Sequence, residues 1–154
     1  MARIEDLPEV ERAHLRAKPC KPLGPTPWTE PPPLSECRVA IVTTAGLHRR
    51  GDDPFRVVDL SYRVIPGEVR ASDLTMTHSS VHFDRSGFEE DVNVVFPIDR
   101  LRELQGLGVI GSVADHHYSL MGAGWPPEQI ELTAKHLATL LHEDRVDAVC
   151  LAPV

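Results

Sequence analysis

The chain has 154 residues, which allows one domain with a substantial hydrophobic core. Hydrophobic residues make up 42% of it and aromatic residues only 5%, so the composition predicts the aliphatic interior typical of α/β proteins. The formal net charge of −7 argues against a general nucleic-acid-binding role, because phosphate binding needs a concentrated positive surface. No apolar run approaches the ~20 residues that cross a bilayer, and the charged N-terminus lacks the apolar core of a signal peptide. We therefore expect a cytoplasmic protein that binds neither nucleic acid nor membrane.

The N-terminal segment differs in character from the rest of the chain. Residues 1–16 are compatible with a short amphipathic helix, and residues 18–33 contain seven prolines. Proline fixes φ and removes a backbone donor, so this second stretch is predicted to be an extended arm, with Trp28 as the side chain that holds it in place. The sequence thus predicts an N-terminal helix and Pro-rich arm over 1–33 and an α/β domain over 34–154.

The pattern after Leu34 predicts alternating strands and helices. Helical spacing of Ile130, Leu137 and Leu141 favours a long helix, and Pro97 suits the start of a shorter one. The predicted strands lie within 37–46, 57–66, 73–78, 109–119 and 145–152, and the predicted helices within 96–108 and 126–144. This order predicts a layered, mostly parallel sheet with flanking helices.

The final strand, within 145–152, is nearly all apolar. Such a run is typical of a strand covered on both faces in a parallel sheet. No helix follows it, so the architecture is expected to be cut short after a central strand. Cys150 lies inside this strand and is interpreted as a packing residue, because a reactive thiol needs exposure and a positive environment. Cys20, Cys37 and Cys150 form no CxxC motif and are predicted to be free thiols.

The first candidate site is the segment TTAGLH, which directly follows the first predicted strand. Thr43, Thr44 and Gly46 would lie at the carboxyl end of that strand, where ligands bind in open α/β sheets. Two hydroxyls, exposed amides and His48 suit a carboxylate or another small anion. The segment lacks the GxGxxG spacing of a dinucleotide loop and the lysine of a P-loop. A plain strand-to-loop turn is the alternative interpretation, and the residues do not decide between them.

The second candidate site is the histidine-rich stretch 76–93. His78, His82 and Asp84 could bind zinc or iron, but the His78-x3-His82 spacing suits a metal only on a helix, and the local sequence is Ser-rich and β-branched. We therefore predict no metal, and interpret the histidines as substrate-binding or proton-transferring groups. The alternative is that they only satisfy hydrogen bonds in a polar loop. On the predicted helix 96–108, Arg102 and Glu103 are expected to face solvent in a structural role.

Five stretches together resemble the selenoprotein B family of glycine, sarcosine, betaine and D-proline reductases. They are PLSECRVAIVTTAGLH (33–48), YRVIPGEV (62–69), LTMTHSSVHFD (74–84), DVNVVFPIDRLRELQGLGVIGSVADHHYSLMGAG (91–124) and VDAVCLAPV (146–154). The resemblance runs in order from Leu34 to Val154. It is specific as a set, and no single stretch would suffice.

The resemblance implies an α/β oxidoreductase that reductively splits a C–N bond of an amino acid or N-methylated amine. A selenocysteine, or a cysteine in many relatives, would follow the strand corresponding to DAVCLAPV and attack the substrate carbon. A resolving thiol would release the product, and a companion subunit would carry a pyruvoyl group that activates the amine. The family also implies thiol reductants and an oligomeric, multi-subunit complex in a reducing cytoplasm.

Mapping the resemblance onto this chain gives candidate functional residues. His78 and His82 are the predicted catalytic positions, and the predicted substrate-binding positions are Thr43, Thr44, Gly46, His48, Ser79 and His117. The sequence departs from the family after Val154, where neither selenocysteine nor cysteine follows. Because UGA encodes selenocysteine and is otherwise a stop codon, our hypothesis is that an in-frame UGA was taken as termination. The chain alone would then lack its nucleophile and be inactive as a reductase.

Two other function classes remain open from the sequence. One is a non-catalytic partner domain that docks on a larger complex through its arm and an open sheet edge. The other is a metal-dependent hydrolase or lyase built on His78, His82, Asp84 and either His116 or His117. The identity of the substrate is not encoded in any of these patterns.

Overall fold

A computed structural model describes residues 3–17, 29–80, 83–122 and 127–154. The chain divides into two compact units, residues 1–30 and 31–154. Trp28 and most of the Pro-rich arm lie outside the described residues, so the extended arm stays a prediction. In the first unit, α1 (Glu9–Ala17) follows a 3-10 turn, and none of its residues is buried. Acidic Glu9 lies in its first turn and basic Arg16 in its last, which suits the helix dipole.

The second unit contains the predicted alternation of strands and helices. Its strands are β1 (Arg38–Thr43), β2 (Leu47–Arg49), β3 (Tyr62–Pro66), β4 (Leu74–Met76), β5 (Ser112–Val113), β6 (His116–Leu120) and β7 (Ala148–Ala152), and its helices are α2 (Ser86–Glu90), α3 (Ile98–Gly106) and α4 (Pro127–Glu143). None of the described helices combines the length and the apolar character needed to span a bilayer.

The main sheet is built around β1. Strands β5 and β6 run parallel to β1 on one side, and β7 runs parallel to it on the other. Strand β3 is antiparallel to β6, while β2 and β4 form a separate antiparallel pair. The α/β class and the mostly parallel sheet are therefore confirmed. The pairing of β2 with β4 was not predicted.

Helices cover both faces of the sheet. On one face, Val39 and Ile41 of β1 belong to a core that includes Ile98 and Leu101 of α3. On the other, Leu137 of α4 packs with residues of β6 such as Tyr118 and Leu120. Strand β1 therefore lies between the two cores. The carboxyl ends of its parallel neighbours lie at the same edge of the sheet as its own.

Strand β7 is less buried than its apolar sequence predicts. Ala148 and Cys150 pack against the first core, but Val149 is 38% exposed and Leu151 71% exposed. The expectation of burial on both faces is wrong for these residues, because the core beneath α4 is built from β6, β3 and Val42 and does not reach β7. Among the described strands, β7 pairs only with β1.

Arg102 of α3 is only partly exposed to solvent, with 37% of its side chain accessible. Its Nη2 donates hydrogen bonds to the carbonyl oxygens of Gly67 (2.7 Å) and Val69 (2.8 Å), and its Nη1 bonds Asp99 at 2.7 Å. The guanidinium therefore fastens the turn after β3 to α3. The role is structural, as expected, but it comes from backbone contacts rather than from solvation.

Candidate functional site at the strand ends

Three segments meet at the carboxyl edge of the parallel strands. Thr43, the last residue of β1, lies in register with Ser119 of β6 and Ala152 of β7. The chain segments that follow these strands therefore emerge side by side. This edge is where ligands bind in open α/β sheets.

Both threonine hydroxyls of the first loop are engaged. The Thr43 side chain is fully buried, donates to the Ala152 carbonyl (3.1 Å) and accepts from the Ala45 amide (3.2 Å). The half-buried Thr44 hydroxyl accepts from the amide of Val154 at 2.9 Å, and its backbone carbonyl accepts from Gly122 at 3.0 Å. Thr43 thus ties β1 to β7, and Thr44 fixes the segment that follows β7.

Gly46 brings the first loop against the second. Its amide donates to the Leu120 carbonyl at 2.9 Å, and its carbonyl accepts from the Thr77 amide at 2.9 Å. Its φ is +65°, and a Cβ at this position would lie 2.3 Å from the Thr77 carbonyl oxygen. Glycine is required here both by conformation and by the close approach of the two backbones.

His78 is buried at the junction of these loops, with 5% of its surface exposed. Its Nδ1 accepts a hydrogen bond from the Ser80 amide (3.2 Å), so the neutral ring carries its proton on Nε2. Nε2 is buried and has no hydrogen-bond partner of good geometry among the described residues. Burial lowers the pKa of His78, the Arg85 guanidinium lowers it further, and the nearby Thr44 backbone opposes the shift. The group is a neutral imidazole whose one N–H makes only a weak contact with the Thr44 backbone.

Ser79 completes the predicted residues at this edge. Its amide and hydroxyl lie 3.4 and 3.6 Å from the sulfur of Met121, which directly follows β6. Thr43, Thr44, Gly46, His78 and Ser79 therefore form one cluster, which we call the strand-end site. His82 lies outside the described residues.

Arg85 also borders this site and was missed by sequence reasoning. Its Nη2 donates to the carbonyl oxygen of His78, which holds a positive charge against the second loop. The spacing from His78 gave no reason to expect this, because the contact depends on how the loop turns back before α2. An arginine within the histidine-rich stretch was the only available indication.

His48 is separated from the strand ends by Thr77. The ring is 5% exposed, with Nε2 3.0 Å from the Thr77 hydroxyl and Nδ1 3.1 Å from the Arg49 carbonyl oxygen. Both ring nitrogens are thus engaged within the loops that carry β2 and β4. Its assignment to substrate binding stays a prediction.

His117 lies in the sheet rather than at its edge. From Val39 to Val42, β1 advances three residues, whereas its partner chain advances five, from Val113 to Tyr118. At this bulge the Ile41 amide of β1 lacks a backbone acceptor on the neighbouring strand. The Nδ1 of His117 accepts its hydrogen bond instead, at 3.0 Å. The ring is fully buried, and its Nε2 has no hydrogen-bond partner among the described residues. This geometry favours a structural role.

The environment of His117 strongly favours its neutral form. Burial, followed by the charge of Arg102, lowers its pKa to about 4. Asp144 opposes this shift, while His116 and Arg38 add to it. The substrate-binding role given to His117 from sequence remains a prediction that this burial does not favour.

The free energy of unfolding should depend on pH in a way that reveals the lowered pKa of His117. In the unfolded chain its pKa is about 6.5, so protons bind preferentially to the unfolded state between that pH and the folded-state value of about 4. The free energy of unfolding should therefore be unaffected by this group above pH 6.5 and fall below it, by up to roughly 3 kcal/mol. His117→Asn, which keeps an acceptor for the Ile41 amide, should flatten this acid slope in urea titrations. The exposed His142→Asn should leave it unchanged, and equal slopes in all three proteins would contradict the assignment.

The metal-dependent alternative gains no support from the described residues. In residues 3–17, 29–80, 83–122 and 127–154, no three His, Cys, Asp or Glu side chains converge as a metal site. Asp84 is turned toward α2, where it accepts from the Ser86 amide at 2.9 Å. His82, which that alternative also used, is not among the residues described.

Comparison with known proteins identifies the family. Residues 31–154 match the family described as glycine/sarcosine/betaine reductase selenoprotein B. The chain belongs to this selenoprotein B family. The match covers the whole second unit, including every described residue of the strand-end site. No solved structure matches the chain.

Several curated relatives are reductase subunits. The chain is 37% identical over 134 residues to the D-proline reductase subunit gamma of Acetoanaerobium sticklandii, covering 84% of this chain and 54% of that relative. It is 34% identical over 125 residues to the sarcosine reductase complex component B subunit beta of Peptoclostridium acidaminophilum. It is 31% identical over 124 residues to the glycine reductase complex component B subunit gamma of Symbiobacterium thermophilum. Each of these last two matches covers 77% of this chain and 28% of the relative, so the chain spans between about a quarter and about half of its relatives' length.

Proposed function

We propose that this chain forms the substrate-side part of a reductase that splits a C–N bond in an amino acid or N-methylated amine. The nucleophile would be a selenocysteine or cysteine directly after Val154. The observation that supports this proposal is the hydrogen bond from the Val154 amide to the Thr44 hydroxyl (2.9 Å), which holds the segment after β7 at the strand-end site. D-proline is the first substrate to test, because the D-proline reductase subunit combines 37% identity with the larger coverage of both chains.

The proposed chemistry balances with a dithiol as reductant. The selenolate or thiolate attacks the carbon that bears nitrogen, a C–Se or C–S bond forms, and the C–N bond breaks as nitrogen takes up a proton. One thiolate of the dithiol then attacks the selenium or sulfur, and the carbon leaves with a proton as C–H. The second thiol displaces the nucleophile and the dithiol becomes a disulfide. The pyruvoyl group that the family resemblance places on a companion subunit would supply a carbonyl to activate the substrate amine.

Within this proposal, His78 donates a hydrogen bond from its neutral ring to the substrate at the C–N bond, and the proton that the leaving nitrogen takes up comes from a thiol of the reductant. Its neutral ring carries hydrogen on Nε2, and that atom has no other partner of good geometry in the described chain. Its lowered pKa keeps the ring neutral, so that His78 acts as a hydrogen-bond donor and not as a cationic acid. Thr44 would hold the backbone from which the nucleophile projects.

The open side of β7 supports a continuation of the polypeptide beyond Val154. Val149 and Leu151 lie in register with Ala40 and Val42, which face α4, yet they remain 38% and 71% exposed. An edge strand with exposed apolar residues is prone to pair with further chain. The greater length of the relatives is consistent with a segment that covers this surface. A non-catalytic partner domain is the second candidate function, since the same surface would suit docking.

The proposal predicts a particular reading frame and activity. The codon after Val154 is expected to be UGA or a cysteine codon, followed by a family-like frame; UAA, UAG or an unrelated frame would contradict it. The product of the complete frame, assembled with its companion subunit, should consume D-proline, glycine, sarcosine or betaine with dithiothreitol as reductant. Serine in place of the residue at position 155 should lower turnover by about 10³-fold or more. Assembly without turnover of any of the four would favour the partner-domain alternative.

A further inference from the structure

A cavity adjoins the strand-end site on the side of the second loop. It is a shallow cavity, widely open to solvent, with a volume of about 540 Å³, and its described lining residues include Ser79, Ser80, Phe83, Arg85 and two acidic residues, Asp84 and Glu89. This volume lies within the range of ~300–1,000 Å³ typical of small-molecule sites. The cavity shares Ser79 with the strand-end site, and the Phe83 ring packs edge-on against His78, with centroids 5.0 Å apart.

Among the described residues that line this cavity, Arg85 is the one arginine or lysine. Its Nη2 donates to the His78 carbonyl oxygen, which fixes the guanidinium beside the loop that carries the candidate catalytic ring. No ion pair joins Arg85 to any acidic residue, all of which lie in the described part of the chain. Its remaining N–H donors are therefore not committed to a carboxylate of this protein. The group also lowers the pKa of His78, which indicates that its charge acts at the strand-end site.

The substrates named for the relatives share one chemical feature. D-proline, glycine, sarcosine and betaine each carry a carboxylate beside a nitrogen centre. A guanidinium is the side chain best suited to a carboxylate, because its planar N–H groups can bond both oxygens. Asp84 and Glu89 line the same cavity and carry negative charge. The cavity therefore offers a cation to the carboxylate and anions to the positively charged nitrogen of a zwitterionic substrate.

We propose that Arg85 binds the carboxylate of the substrate and thereby places the C–N bond between His78 and the nucleophile. This inference rests on the proposed function and adds the residue that selects α-amino carboxylates. The connection is short: Arg85 bonds His78, His78 adjoins the Thr44 backbone, and Thr44 holds Val154. A small amino acid fixed at Arg85 would thus lie close to the residue that follows Val154.

The test compares a carboxylate substrate with its neutral amide in the assembled complex. Binding of D-proline and D-prolinamide is measured by calorimetry, and turnover of each is measured with dithiothreitol. Arg85→Gln should weaken D-proline binding and raise its KM by about 10- to 100-fold, since hydrogen bonds to charged groups contribute ~1.5–3 kcal/mol. Binding of D-prolinamide should not change. Arg85→Lys should fall between wild type and Arg85→Gln, because it keeps the charge but loses the planar donors.

Arg100 supplies the matched control. It is an exposed arginine on α3, paired with Glu103 at 3.0 Å and not among the residues that line the cavity, so Arg100→Gln should leave binding of both ligands unaffected. Equal losses for D-proline and D-prolinamide, or none, in Arg85→Gln would overturn the carboxylate assignment even if the complex is an active reductase. Arg85-dependent binding without reductive turnover would support the assignment and overturn the proposed function instead. A wild-type complex that binds neither ligand would overturn the assignment.

Discussion

Replacement of His78 by alanine in the assembled reductase is expected to lower kcat by about 10²- to 10³-fold, the loss expected when one hydrogen-bond donor to the transition state is removed. The reason is the buried Nε2, which carries the ring proton and has no partner of good geometry among the described residues. Substrate KM should change much less, because the proposed carboxylate contact lies at Arg85. The measurement is steady-state kinetics with D-proline and a dithiol.

A second variant separates chemistry from loop structure. His78→Asn keeps an oxygen acceptor where Nδ1 meets the Ser80 amide, but it lacks the Nε2 proton. It should retain the urea midpoint of the wild type and still lose kcat. Wild-type turnover in His78→Asn would mean that the ring only satisfies the Ser80 amide. Arg100→Ala is the activity control, since Arg102 is tied to Gly67 and Val69 and its loss would disturb the fold.

Local sequence patterns predicted the strands and helices whose hydrophobic residues repeat with a clear period. The apolar run 37–46 contains β1, and the helical spacing in 126–144 gives α4 at Pro127–Glu143. The weaker stretch 73–78 contains β4, but its partner β2 was missed because three residues in a loop show no period. Helix α2 has five residues and was missed for the same reason.

Long-range contacts account for the remaining differences. The sequence treats 109–119 as one strand, whereas the chain forms β5 and β6 with a bulge that only the pairing with β1 reveals. The burial of His117 follows from that bulge, and so could not be predicted from its position after His116. The contacts of Arg102 likewise join α3 to a turn more than 30 residues away in the chain.

The strand-end site was predictable to the extent that it depends on strand order. Thr43, Thr44 and Gly46 were placed at a carboxyl edge because a strand precedes them, and the structure brings His78 and Ser79 to the same place. Arg85 was not predicted, because its approach to His78 depends on the fold of the loop between them. The catalytic and binding roles of these residues remain predictions for the kinetic experiments above.

Gly46→Ala should be the most destabilising single substitution in the strand-end site, with an expected cost of about 3 kcal/mol or more. Two effects combine. An alanine at φ +65° costs about 1–2 kcal/mol, and a Cβ placed 2.3 Å from the Thr77 carbonyl oxygen forces backbone displacement that costs a further ~1–3 kcal/mol. Urea denaturation of the wild type and the variant measures the difference in the free energy of unfolding.

The variant Gly51→Ala separates the conformational cost of a positive φ from the cost of a steric clash. Gly51 also has a positive φ, +93°, but a Cβ there would meet no atom within 4 Å, so Gly51→Ala should show only the conformational cost of about 1–2 kcal/mol. Equal losses in the two variants would contradict the close contact between Gly46 and Thr77. A larger loss in Gly46→Ala would support it, because this contact joins the TTAG loop to the loop that carries His78. In that case glycine at this position is required to bring the two loops of the strand-end site together, whatever further part its amide has in binding substrate.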